Sequence, residues 1–431
     1  MIVSRVRVSV YVALLAALCA AAQVQATAGT AAASGAASSE TSTARKNANQ
    51  GNPTALNEVI VTATRHKESL LNVPISMDVL TGSSLEQPDV QSTIDALSRA
   101  PGVSLNVAGL GGASQVTIRG IASGAAQFTG SGTAAYYIDD TALSLVRSAV
   151  VPDADAYDLK RVEVLEGPQG TLYGAGALSG VVRILSNDPN LYDYQIKGRT
   201  LVSTTDGSSG ANYDADVALN APIVPGKLAI RGVASDSYQD GWIDSPVAKD
   251  INSLEEKTFR LKVLGKPIDN LSVLASAWVT RDSAQGENVA DSNMQVPYDE
   301  HEPYENNYGI YALDLDYELP KVSITNTVNY LTYENPSLSN NRTVNVVTSS
   351  LNTQEHAGVW SDQLIFTSVN EAPWSWSSGV LYRDIINKTW QGEPALAVPE
   401  SWNDYSQSFT AFAELARDFL ADKLNLSAGL R

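Results

Sequence analysis

The stretch RVEVLEGPQGTLYGAGALSGVVRILS, Arg161 to Ser186, sets five glycines between two runs rich in β-branched residues. A glycine-rich loop after a strand can cradle a phosphate when a helix N-terminus receives it. Here Gly174 to Gly180 spells GAGALSG, one residue too long for GxGxxG, and no Gly-Lys is followed by Ser or Thr. The VVRIL that follows reads as a strand and not as a helix start. Dinucleotide and P-loop readings therefore both fail. The glycines are expected to let the chain turn sharply and pack closely where side chains would not fit.

The 431 residues suffice for two or three ordinary domains or one long β architecture. Residues 1–26 have the layout of a secretory signal peptide: Arg5 and Arg7, the apolar run Val10 to Ala22, then Val24 to Ala26 ending on a small residue. The single cysteine, Cys19, lies within that segment, so the exported chain needs neither disulfides nor a reducing compartment. Removing Arg5 and Arg7 takes the formal charge from −18 to −20, since the segment carries no Asp or Glu. A surface this acidic repels nucleic acid. No later segment reaches the length of a membrane helix. A soluble exported β protein and an outer-membrane β-barrel remain.

Residues 27–56, poor in large apolar side chains, are expected to form a disordered tether. NEVIVTATR, residues 57–65, is a β-prone run with nothing nearby to pair with, suited either to opening the next domain or to joining a partner's sheet edge. Residues 70–190 read as a compact α+β domain. Val90, Ile94 and Leu97 sit at helical spacing within Ser83 to Val103, and short strands are expected at Val116–Arg119, Ala134–Ile138, Arg161–Leu165 and Val181–Leu185. Residues 192–431 alternate with period two. Tyr311, Leu313, Leu315 and Tyr317 share one face, with Asp314 and Asp316 on the other. About eleven strands are expected, joined by short turns at one end. Long polar loops, at about 239–254, 284–306, 335–353 and 391–403, join them at the other. That asymmetry favours a transmembrane barrel over a soluble sandwich.

The chemistry of catalysis is missing from the sequence. His66, His301 and His356 are the only histidines, and the serines lack a GxSxG context. Asp299, Glu300, His301 and Glu302 lack metal-ligand spacing and read as a solvated loop. The expectation is a protein that is not an enzyme and has no metal site or cofactor.

Three motifs carry a family resemblance. Glu58, Val59, Ile60, Val61, Thr62 and Ala63 resemble a TonB box; VTIRGI, Val116 to Ile121, resembles the plug strand ending in IRG; VEVLEGPQGTLYGAGALSGVVRI, Val162 to Ile184, resembles the long plug signature. The chain is similar to TonB-dependent outer-membrane receptors of Gram-negative bacteria. The resemblance implies an α+β plug domain followed by antiparallel transmembrane β-barrel strands, the whole barrel having about 22. It implies active import in the outer membrane lipid of a small-molecule or metal-chelate ligand, and TonB as the partner pairing with the box. The leading cargo is an iron–siderophore complex, with cobalamin, other metal chelates and oligosaccharides as alternatives. An exported binding or adhesion module without transport is the competing reading. Ligand contacts carried over by position are Asn106, Gly109, Gly111, Gln115, Gln127 and Phe128 at the plug apices. Trp242, Trp360, Trp374, Trp376, Trp390 and Trp402 read as interfacial girdle residues, with ligand stacking as the alternative.

Two departures stand out. The family usually has Arg where this chain has Glu166, and that arginine and the IRG arginine, here Arg119, latch the plug to acidic barrel residues. Glu166 is expected to pair with Arg119 inside the plug or with a basic barrel residue. Second, about eleven strands are half of about 22. Half a barrel leaves open backbone edges that lipid does not tolerate. The expectation is a fragment, a truncated gene product or one part of a split protein.

Overall fold

The computed structural model describes residues 60–62, 68–70, 73, 75–87, 90–106, 115–122, 132–146, 153–174, 176–286, 288, 290–297, 301–343, 346–369, 373–392, 399–420 and 424–431. Two strands open it, β1 (Ile60–Val61) and β2 (Glu68–Ser69). The plug is built on β3 (Met77–Thr81), α1 (Gly82–Leu85), α2 (Thr93–Leu97), β4 (Val103–Asn106), β5 (Gln115–Ile118), β6 (Ala134–Ile138), β7 (Thr141–Ala142), β8 (Leu159–Glu166), α3 (Gly170–Tyr173) and β9 (Gly180–Ser186). Its main sheet runs β3-β8-β9-β6-β7, with β6 and β9 parallel, and β4 pairs with β5. The opening stretch supplies β8, α3 and β9, the centre of that sheet. Val162, Val164, Leu165, Val181, Val182 and Ile184 are fully buried, which explains why both runs are rich in β-branched side chains.

The glycines of that stretch hold turns and close contacts. Gly167 and Gly174 take φ values of 89° and 75°, a region closed to most side chains. A Cβ on Gly180 would collide with the Leu165 carbonyl and the Ile118 side chain.

The expected helical run 83–103 resolves differently, into two short helices. Pro88 lies between them and lacks a backbone N–H. Ser92 caps α2 in a capping box with Asp95. Val90, Ile94 and Leu97 are nevertheless buried as their spacing implies.

Eleven long strands follow in one antiparallel sheet, paired in sequence order. They are β10 (Gln195–Ser203), β11 (Asn212–Val224), β12 (Leu228–Gln239), β13 (Leu254–Ile268), β14 (Leu271–Ala284), β15 (Tyr304–Glu318), β16 (Val322–Thr343), β17 (Val346–Ser368), β18 (Trp374–Gly392), β19 (Glu400–Phe419) and β20 (Leu424–Leu430). The fold class expected from the alternation is borne out. On β15, Tyr311 and Tyr317 are exposed on one face, six residues apart. At about 3.3 Å per residue the two rings bracket about 20 Å of apolar wall, close to the band of an outer-membrane barrel. Tyr330 and Trp360 continue the Tyr311 row on the next two strands. The opposite face buries Trp278, Tyr308, Ile310, Leu331 and Val359 in one core with the plug residues Ile138, Leu143, Leu145 and Val182.

Two expectations need correction. The loop expected at 335–353 is largely a hairpin extension, because β16 and β17 stay paired from Asn335–Glu355 to Thr343–Val346. Trp242 is not a girdle residue. It packs with Ile243, Ile251 and Val296 in a small cluster of the long connections.

Gly180→Ala is expected to lower plug stability by roughly 1–3 kcal/mol through overpacking. Gly170→Ala is the control, since its Cβ would meet nothing within 4 Å. Thermal denaturation of the two variants checks the difference.

Candidate functional site

The box run begins the described chain. β1 pairs antiparallel with β2, Ile60 opposite Ser69 and Val61 opposite Glu68. Val61 is fully buried. The expectation of a run with nothing nearby to pair with is thus corrected. A two-residue partner satisfies backbone groups that an isolated strand leaves open. Glu58, Val59 and Ala63 lie outside the described residues.

Thr62 sits against the centre of the plug sheet. Its Oγ1 accepts from Arg183 Nη1 at 3.1 Å and from Arg161 Nη2 at 3.4 Å. Both arginines converge on Glu163, whose side chain is fully buried. Arg161 Nε donates to Oε1 at 2.6 Å and Arg183 Nη1 to Oε2 at 2.7 Å. Strand geometry dictates this cluster. Arg161 and Glu163 are two apart on β8 and share a face, and Glu163 lies directly opposite Arg183 on β9. A carboxylate buried this completely is tolerable only when paired, and removing one partner typically costs about 3–5 kcal/mol.

Arg119 and Glu166 are brought together inside the plug. Arg119 Nη2 lies 2.6 Å and Nε 2.8 Å from Glu166 Oε2, and Ser76 Oγ donates to the same oxygen at 3.0 Å. The Arg119 side chain is half exposed, so solvent screens the pair. Burial lifts the carboxyl of the nearby Asp78 above its ordinary range, and the negative charge of Glu166 adds to the lift.

The contacts joining plug to wall were not legible as motifs. The run Asp153 to Asp158 ahead of β8 presents carboxylates to cations on the barrel strands. Asp158 takes two bonds from Arg231, at 2.7 Å from Nε and 2.5 Å from Nη2. Asp155 faces Arg260 Nη2 at 3.3 Å and accepts from Ser235 Oγ. Lys262 reaches Asp188 at 3.0 Å and Asp139 at 3.2 Å. Arg231, Arg260 and Lys262 are all nearly buried. The polarity is therefore plug acid to barrel base, the reverse of the latch that the resemblance implied. Isolated basic residues at inward positions of alternating strands were the available clue.

Of the apex residues, Asn106 and Gln115 pair across β4 and β5, so the structure brings them together. Gly109, Gly111, Gln127 and Phe128 lie outside the described residues. Among the described residues no three His, Cys, Asp or Glu side chains gather as a metal site. Glu302, from the acidic run, accepts the backbone N–H of Asn340 at 2.7 Å.

Residues 69–181 match the family model of the TonB-dependent receptor plug domain. Curated relatives include the vitamin B12 transporter BtuB of Vibrio vulnificus, 28% identical over 156 residues, which are 36% of this chain and 24% of the relative. Another is the iron-regulated outer membrane virulence protein of Vibrio cholerae, 27% identical over 204 residues, 46% of this chain and 30% of the relative. Among solved structures, the ferric yersiniabactin uptake receptor FyuA of Yersinia pestis aligns with a TM-score of 0.68 at 17% identity, covering 82% of this chain and 56% of the other. The ferripyoverdine receptor of Pseudomonas aeruginosa aligns with a TM-score of 0.71 at 15% identity, covering 86% and 53%. The matched regions thus span under a third of these two curated relatives and just over half of these two solved chains.

One carboxylate at the plug–wall boundary gives a pH signature. Burial pushes the Asp153 carboxyl from 3.8 up to about 6, against the hydrogen bonds from Ser92, Ile94, Thr93 and Ala154. Below pH 4 both folded and unfolded states hold the proton. As pH rises from about 4 to about 6 the unfolded state loses it first, so this group's contribution to stability falls across that window and is flat above it. Asp153→Asn is expected to remove this dependence. Wild type should gain on the order of a few degrees in Tm relative to the variant between pH 7 and pH 4, measured by thermal scans at matched salt.

Proposed function

The chain belongs to the TonB-dependent outer-membrane receptors, and from that premise we propose that it serves the energised import of a scarce ligand across the outer membrane of a Gram-negative bacterium. Residues 1–26 direct export. Asn106, Gly109, Gly111, Gln115, Gln127 and Phe128 contact the ligand at the plug apices, and the Arg119–Glu166 pair holds the plug's own elements together. An iron–siderophore complex is the ligand class put forward. Solved neighbours that are receptors for ferric yersiniabactin and ferripyoverdine support it.

The observation that carries the coupling step is the docked box. Among the described residues β1 forms two ladder pairs, and Thr62 is held by two hydrogen bonds to charged donors. A strand held so lightly is exchangeable. TonB takes β1 from β2 by strand addition, and the pull passes through Thr62 to Arg161 and Arg183 at the centre of the plug sheet. Energy then comes from the partner, consistent with a glycine-rich stretch built for packing.

Deletion of Glu58 to Ala63 is expected to reduce uptake of a radiolabelled ferric siderophore by cells at least about tenfold while leaving surface binding unchanged. Undiminished uptake would contradict the TonB-coupled reading, and surface binding without uptake in either strain would favour a binding module.

A further inference from the structure

Plug and wall do not meet everywhere. A cavity of about 140 Å³ lies between Tyr137 and Tyr173 of the plug and Asn329, Ser361, Gln363 and Arg383 of the wall. It has room for several water molecules. Arg383 is the feature that needs explaining. Its Nη2 donates to the carbonyls of Ser144 at 2.9 Å and Ala142 at 3.4 Å. Its Nε is buried without a partner, and among the described residues no carboxylate pairs with it. Asp140 lines the same cavity, but Arg183 Nη2 stands 3.5 Å from its Oδ1. Arg183 and Arg260 also keep an Nε without a partner, but both are paired with carboxylates, whereas the partners of Arg383 among the described residues are carbonyls alone. A charged donor group that lines a cavity without a carboxylate partner is best matched by an oxyanion, reached through the atoms of Arg383 that line the cavity and not through the enclosed Nε.

The position along the wall gives this chemistry a purpose. Arg383 lies two residues from Ile385 on β18, so both face the plug. Ile385, Val359 and Leu331 pack with Leu143 and Leu145 in an apolar contact between wall and plug. The cavity sits on the short-turn side of that contact. We propose that it is a subsite for an oxyanion, a carboxylate group of the imported ligand, held by Arg383 with Asn329, Gln363 and Thr410 supplying neutral hydrogen bonds. The subsite rests on the import reading and names the ligand's chemistry: it carries at least one free carboxylate. The group is received after it has passed the apolar contact.

The test uses the purified protein in detergent, with malonate as probe and malonamide as the neutral control at matched ionic strength. Saturable binding of malonate by titration calorimetry, absent for malonamide, is expected. Arg383→Gln should weaken it roughly tenfold or more, the loss of a charged hydrogen bond, and Arg383→Lys should restore part. Thr410→Leu, which fills the cavity and leaves the guanidinium, should also abolish binding and serves if Arg383→Gln fails to fold. Equal malonate affinity in wild type, Arg383→Gln and Thr410→Leu would overturn the proposal, as would no binding to wild type. Binding is read without TonB or energy. Absence of uptake by intact cells would therefore sink the import reading alone, while malonate binding lost in Arg383→Gln would still place the oxyanion in this cavity.

Discussion

The placement of the plug depends on buried charge pairs between it and the wall. Asp158 with Arg231 and Asp155 with Arg260 bring opposite charges together where water is largely excluded. Desolvation takes back much of what attraction provides, so such pairs add less to stability than their distances suggest. Their effect is on uniqueness. An apolar seam between Leu143, Leu145, Val359 and Ile385 tolerates sliding, whereas an unpaired buried Asp158 does not. The pairs therefore fix which strands the plug faces and at what height.

The same economy of charge runs through the functional elements. Glu163 joins Arg161 and Arg183 at the centre of the sheet, and these arginines also hold Thr62. The point at which a partner would pull is thus one hydrogen bond from the middle of the plug. The Arg119–Glu166 pair, more exposed, closes the plug on itself instead of reaching outward.

The sequence revealed most where one residue's neighbours along the chain decide its state. Period-two alternation marked the barrel strands because each turns one face to the plug and the other outward, as Tyr311 and Asp314 do. It misplaced the loop at 335–353, since polar residues such as Asn340 and Asn341 mask a pairing that register carries on from β16 and β17. The partner of the box was invisible, because Glu68–Ser69 is too short to show any pattern. Arg231 and Asp158 lie 73 residues apart, and nothing local links them. Glu166 stands out in the sequence as an acid within the plug signature, and the structure pairs it with Arg119.

The seating of the plug depends on the plug–wall pairs. A double-mutant cycle on Asp158 and Arg231 addresses them directly, with plug release read by protease resistance and thermal unfolding. Asp158→Arg and Arg231→Asp alone should each cost about 3–5 kcal/mol, and the swapped double variant should regain at least about half of the summed loss. Single variants without effect, or a double variant whose losses simply add, would contradict the claim that these charges set the plug in place.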